Sequence, residues 1–280
     1  MASTLIALVM ARALAGAATV AARRWGERAG GVVSAFPAIV GPVLLIVALD
    51  HGRAFAGRAA NGTLLGLVSL AAFALAYGRV ARWRDWRVSL VVGWACAALA
   101  GVAVGLSAGG RGSPAGLLGA AGTLALACRL LPPAAAGPAT TPLPYRLAVP
   151  LRMASAALLV AVLAVTAGAV GPLIGGMLAA LPVLACVLAV FTHREAGAPA
   201  VIGLLRGMLA GMASFVLFCQ VIALVIVPYG IVTAFAAATV VAVAAQALVV
   251  YSVHSTLRRQ SSAARPAVAA AAGSLRRQSS

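Results

Sequence analysis

The sequence predicts an all-α polytopic membrane bundle of about nine transmembrane helices, organised as two inverted-topology four-helix repeats joined by a linking helix. Three observations predict it. The 280 residues are 63% hydrophobic and 9% charged, with a mean hydropathy of +1.07, which leaves too little polar surface to cover a soluble globule. Apolar runs of the length a bilayer core requires, about 20 residues, recur along the chain. The chain also matches itself when displaced by 145 positions, the signature of an internal repeat.

Nine segments approach spanning length. They run from Thr4 to Ala22, Gly30 to Leu49, Ala59 to Tyr77, Val88 to Ser107, Ala115 to Leu131, Ala148 to Ala167, Gly175 to Thr192, Val201 to Val227 and Ile231 to Val253. The first lacks a basic leading region and carries Arg12 inside its apolar run, so it reads as a helix rather than an export signal. The fifth is the shortest. The stretch from Pro132 to Tyr145, rich in Pro, Ala and Thr, reads as an extended linker. Residues 1–109 thus form the first repeat, 110–147 the linking helix and loop, 148–253 the second repeat, and 254–280 a basic tail expected to be disordered.

All 21 cationic side chains are Arg, against four acids. With nine crossings, seventeen arginines fall on the side reached after helices 1, 3, 5, 7 and 9, and only Arg53, Arg58 and Arg111 on the other. The positive-inside rule then makes the arginine-rich side cytoplasmic, with the N-terminus outside and the C-terminus inside. The expected location is a bacterial inner membrane.

The repeat aligns Gly26 with Gly171, Gly30-Gly31 with Gly175-Gly176, Pro37 with Pro182, and Gly52 with Gly197. Gly62, Gly66, Ser69 and Phe73 fall on Gly207, Gly211, Ser214 and Phe218, and Asp50 falls on Glu195. One intervening helix puts the second unit into the bilayer upside down. That architecture is common among secondary transporters, whose sites lie between the repeats near the midplane. The step from repeat to transport is an analogy of architecture.

The candidate binding or gating residues follow from the repeat. Pro37 and Pro182 interrupt equivalent helices and free backbone carbonyls that could face a solute, or simply shape packing. Ser69 and Ser214 put a hydroxyl at equivalent positions, where it could line a cavity or bond across a helix contact. Asp50 and Glu195 are a pair of acids expected on opposite faces, either gate carboxylates or solvated helix ends. Arg12, mid-helix, is a charge that a bilayer interior tolerates only when paired or wet. Gly30, Gly31, Gly62, Gly66, Gly175, Gly176, Gly207 and Gly211 read as close-packing positions.

Other chemistry finds little support. Cys96, Cys128, Cys186 and Cys219 sit in apolar stretches without a metal-ligand spacing. No metal cluster, cofactor motif or phosphate-binding loop is present in the sequence. Gly105-Leu106-Ser107-Ala108-Gly109 matches a nucleophile-elbow pattern, but on a membrane helix rather than a strand-to-helix turn, so an intramembrane serine hydrolase is only a remote alternative. The expected partners are the lipid bilayer, anionic lipid at the basic tail, which carries LRRQSS twice, and a small-molecule solute. Assembly with further copies of the chain stays open, and nucleic acid is not expected.

Phe36-Pro37, Asp50-x-Gly52 and the run from Gly62 to Ser69 resemble the GlpM-like small four-helix bacterial membrane proteins. The resemblance covers about 40 residues of each half, and the second half departs from it with Leu181 before Pro182. It implies a fused pair of four-helix units and names no substrate. The function expected is a secondary transporter or permease of a small solute. The alternative is a non-transporting membrane scaffold or envelope-biogenesis component.

Overall fold

The computed structural model describes residues 2–35, 40–107, 113–133, 150, 153–154 and 183–252. All regular structure among them is helical. The helices are α1 (Ala2–Trp25), α2 (Glu27–Ser34), α3 (Val40–His51), α4 (Arg53–Val80), α5 (Trp86–Ser107), α6 (Ser113–Leu130), α7 (Val183–Tyr229) and α8 (Ile231–Ser252). Four stretches are long and apolar enough to cross a membrane: Arg53–Val80, Trp86–Val104, Ala185–Tyr229 and Ile231–Ser252. The described residues are therefore all-helical, with the long apolar helices of a membrane-embedded protein. Most of the 132–145 linker, the sixth expected helix, Pro37, Pro182, Gly175, Gly176 and the LRRQSS tail lie outside the described residues.

One difference from the sequence expectation concerns continuity: the second expected helix is two elements, α2 and α3, with α2 ending at Ser34. The seventh and eighth expected helices are the two segments of α7, joined without a loop at Gly197, whose backbone is not helical. Pro199 follows Gly197 within the first turn of the second segment, where a missing N–H costs nothing.

α4 and α7 form the centre. Leu64, Phe73 and Tyr77 of α4 and Leu204, Leu205, Ile222 and Ile226 of α7 are fully buried. α2, α5 and α6 pack on this pair. The two helices run antiparallel from residue 198 onward. At one end Gly57 of α4 approaches Ile226 and Val227 of α7. At the other, Arg79 of α4 and Arg206 of α7 converge on the last carbonyls of α6. We call the latter the arginine end, because α1, α4 and α6 all finish there with Arg23, Arg24, Arg79 and Arg129.

α5 and α8 flank the centre. Each buries one narrow stripe and exposes large apolar side chains elsewhere, among them Val91 and Leu99 of α5 and Val232 and Leu248 of α8. Apolar surface of this extent on long helices suits a lipid solvent rather than water. In α8 the stripe is Ala234, Ala238, Ala242 and Gln246, four residues apart. In α5 it is Ser89, Gly93, Ala97 and Gly101, where a Cβ on Gly93 would stand 2.9 Å from the Phe73 ring. The two stripes are 145 positions apart, residue for residue.

Gly52 and Gly197 share a backbone state. Gly52 has φ 85° and ψ 168°, Gly197 has φ 78° and ψ −176°, a region that side-chain-bearing residues scarcely enter. Gly52 links α3 to α4 with no intervening loop, its N–H reaching Ala48 and its C=O receiving Ala56. It stands at the far end of the bundle, whereas Gly197 is close in sequence to His193 and Arg206, whose contacts place it at the arginine end.

Candidate functional site

The short helix α2 is held against α7 by glycines on both sides. A Cβ on Gly31 would overlap the Leu204 carbonyl oxygen, and one on Gly207 would overlap that of Arg28. A Cβ on Gly211 would stand 2.8 Å from both Ala35 Cβ and Val32 O. Backbones in such contact leave no room for larger residues, so the helices pack through their main chains. α2 ends at Ser34, and its final carbonyls need partners from outside the helix.

Those partners form a small polar cluster. Ser34 Oγ donates to Gly31 O at 2.7 Å, and Gln246 Nε2 of α8 donates to Val32 O at 2.6 Å. The Gln246 Oε1 atom lies 2.6 Å from Ser214 Oγ, which also lies 2.7 Å from Gly211 O, so the single hydroxyl proton serves one acceptor at a time. Ser214 is fully buried in the central part of α7. The cluster thus ties the end of a half-helix to two long helices through uncharged donors and acceptors.

Ser69, 145 positions before Ser214, is also buried, at 2% exposure. Its hydroxyl faces Gly101, whose absent Cβ would stand 3.0 Å away. Gly101 and Gln246 are also 145 positions apart, a glycine beside Ser69 and a carboxamide beside Ser214. Nearer the arginine end, Tyr77 Oη and His193 Nδ1 are 3.2 Å apart, joining α4 to α7. Their rings meet edge to face at 5.8 Å.

The other sequence candidates are scattered. Asp50 is exposed at the end of α3, while Glu195 is buried at 8% exposure beside the α7 bend. Arg12 lies on α1, but its side chain, like that of Ser107, lies outside the described residues. Gly30 packs against Ala22 and the Ala18 carbonyl. Among the described residues a Cβ on Gly62 would meet nothing within 4 Å, and Gly66 is half-buried. Cys186 and Cys219 are buried, Cys96 and Cys128 half-buried, and none is in a disulfide. Among the described residues no three His, Cys, Asp or Glu side chains gather as a metal ion would need.

Gln246, Tyr77, His193 and Arg206 were not singled out as site residues by the sequence. Gln246 did carry a signal, an uncharged but strongly polar residue in a 22-residue apolar run. Arg206 donates to Pro132 O at 2.9 Å and Leu131 O at 2.5 Å, and Arg79 to Leu130 O at 3.3 Å. Cations at a helix C-terminus satisfy its carbonyls and its dipole.

No protein-family model matches the chain, and neither a curated protein nor a solved structure does. The site must therefore be read from its own chemistry. The hydroxyl and carboxamide groups of the cluster are of the kind that exchange hydrogen bonds with a polar, uncharged solute.

Proposed function

We propose that the chain is a secondary transporter or permease of a small solute, built from two inverted four-helix halves of the GlpM-like kind and about nine spans in all. In this reading it resides in a bacterial inner membrane, with the arginine end in the cytoplasm and the N-terminus outside. The observation that carries the reading is the pair Gly52 and Gly197: one backbone state, at equivalent repeat positions, at opposite ends of the bundle. Two further observations support it. α5 and α8 start 145 positions apart and bury stripes at matching positions. The interrupted second helix ends at the Gln246 and Ser214 cluster, as half-helices do around midplane sites.

The solute best suited to the cluster is small, uncharged and hydrogen-bonding. Alternating access requires the α2 and α7 contact to survive while the seams on either side of it open in turn. The main-chain packing at Gly31 and Gly207 also favours a second reading, a rigid scaffold in which the repeats serve only packing.

Cysteine accessibility separates the two. In a background with Cys96, Cys128, Cys186 and Cys219 replaced by alanine, single cysteines at Ser69 and Ser214 are treated with an impermeant thiol reagent from each side of sealed vesicles. Transport predicts that both positions label slowly from both sides. A scaffold predicts that these buried positions label from neither.

A further inference from the structure

The turn between α4 and α5 holds a basic surface that the transport reading does not use. Trp83 is 73% exposed there, and Arg82, Arg87 and Arg194 are exposed as well. The turn connects two membrane-spanning stretches, so these groups stand at the level of the lipid headgroups, where tryptophan and arginine are enriched. Arg194 comes from α7, just before its bend, and so brings a distant part of the chain to the same spot.

The charges are not neutralised locally. The Arg87 and Arg194 guanidinium carbons each lie 5.3 Å from the centroid of the Trp86 ring, and that of Arg82 lies 4.9 Å from Trp83. Two guanidiniums against one indole place like charges on the same small area of surface, which an anion there would offset. Asp85 Oδ1 accepts the Val88 N–H at 3.3 Å and caps α5, and its single negative charge cannot balance three guanidiniums. Among the described residues none of these three arginines pairs with a carboxylate.

We propose that Arg87 and Arg194, gathered around Trp86, bind the phosphodiester of an anionic phospholipid headgroup, with Trp83 seated in the interface beside it. Guanidinium forks match phosphate geometry, and a phosphodiester at this patch would offset its like charges. The bound headgroup would tie the α4–α5 turn to the α7 bend. This site is independent of the basic tail and of whether the protein transports anything.

The test uses the full chain purified in dodecyl maltoside, with lipid retention read by native mass spectrometry. Phosphatidylglycerol should be retained in preference to phosphatidylcholine, and the Arg87→Gln plus Arg194→Gln protein should lose that preference by roughly tenfold. The Arg53→Gln plus Arg58→Gln protein, with the same charge change at the far end, should keep it. As a second readout, dibrominated phosphatidylglycerol should quench tryptophan emission in the wild-type protein more than in the double variant. Retention unchanged in the Arg87→Gln plus Arg194→Gln protein, or equal for the two lipids, would overturn the proposal. So would displacement of the lipid by an equal concentration of inorganic phosphate, which would assign the site to a free anion.

Discussion

Gln246 of α8 donates an amide hydrogen to the Val32 carbonyl of α2 at 2.6 Å, while its own oxygen stands within hydrogen-bonding distance of Ser214 on α7. One side chain therefore closes the end of a half-helix and fastens it to two long helices. Gln246→Leu roughly keeps the volume but leaves the Val32 carbonyl with the Ala35 N–H alone and Ser214 with the Gly211 carbonyl as its one acceptor. The expected loss is about 0.6 to 1.7 kcal/mol, the span for interhelical hydrogen bonds in membranes. Equilibrium unfolding in mixed micelles measures it, and a variant as stable as wild type would remove the cluster from the account.

Gly207→Ala should be far more damaging than Gly62→Ala, although both open the same Gly-x-x-x-Gly pattern. A methyl at 207 overlaps the Arg28 carbonyl, which is main chain and cannot step aside, whereas Gly62 has nothing within 4 Å among the described residues. Overpacking of this kind costs about 1 to 3 kcal/mol or more. The Gly62 change should be neutral, or stabilising by up to about 1 kcal/mol through helix propensity. Paired thermal unfolding curves in detergent decide the matter, and equal melting points would contradict the α2 and α7 packing.

Gly52→Ala and Gly197→Ala should each cost about 1 to 3 kcal/mol, because both replace a residue at positive φ with extended ψ. Neither change meets a steric obstacle nearer than 3.8 Å, so the penalty is one of backbone conformation. The two losses should be similar in size. Unfolding titrations that find one sensitive and the other indifferent would break the equivalence of the two hinges.

Arg206→Leu removes the donor to Leu131 O and Pro132 O, leaving the α6 terminus with Arg79 alone. Hydrogen bonds to a charged group contribute about 1.5 to 3 kcal/mol. The loss should be localised, so hydrogen exchange at residues 127–131 should quicken while α8 is unchanged. Uniform acceleration over the whole chain would instead mean that Arg206 supports the fold at large.

Much of this architecture was legible because bilayer solvation imposes length and composition on every span. α4, α5, α6 and α8 lie within a few residues of the expected segments, since the apolar runs have sharp ends at Arg53, the 81–85 turn, Gly230 and Pro132. Gly197 and Pro199 mark a helix boundary in sequence, and the two segments of α7 meet there through a single glycine at positive φ rather than through a loop. The hydrogen-bonding cluster was half legible: Ser214 stood out through the repeat, whereas Gln246 broke the repeat and escaped notice. Tyr77 and His193 were illegible as a pair, because a contact between residues 116 positions apart follows from how α4 crosses α7.

The central claim is that the two halves sit in the membrane with opposite sense, and sidedness tests it most directly. Single cysteines at Asp50 and Arg194, both exposed and each within a few residues of its hinge glycine, are probed with an impermeant thiol reagent on intact spheroplasts of the cysteine-free protein. The account predicts labelling at Asp50 and none at Arg194 until the membrane is opened. Labelling of both from the same side would contradict inverted halves, and with them the reason for preferring transport over a scaffold.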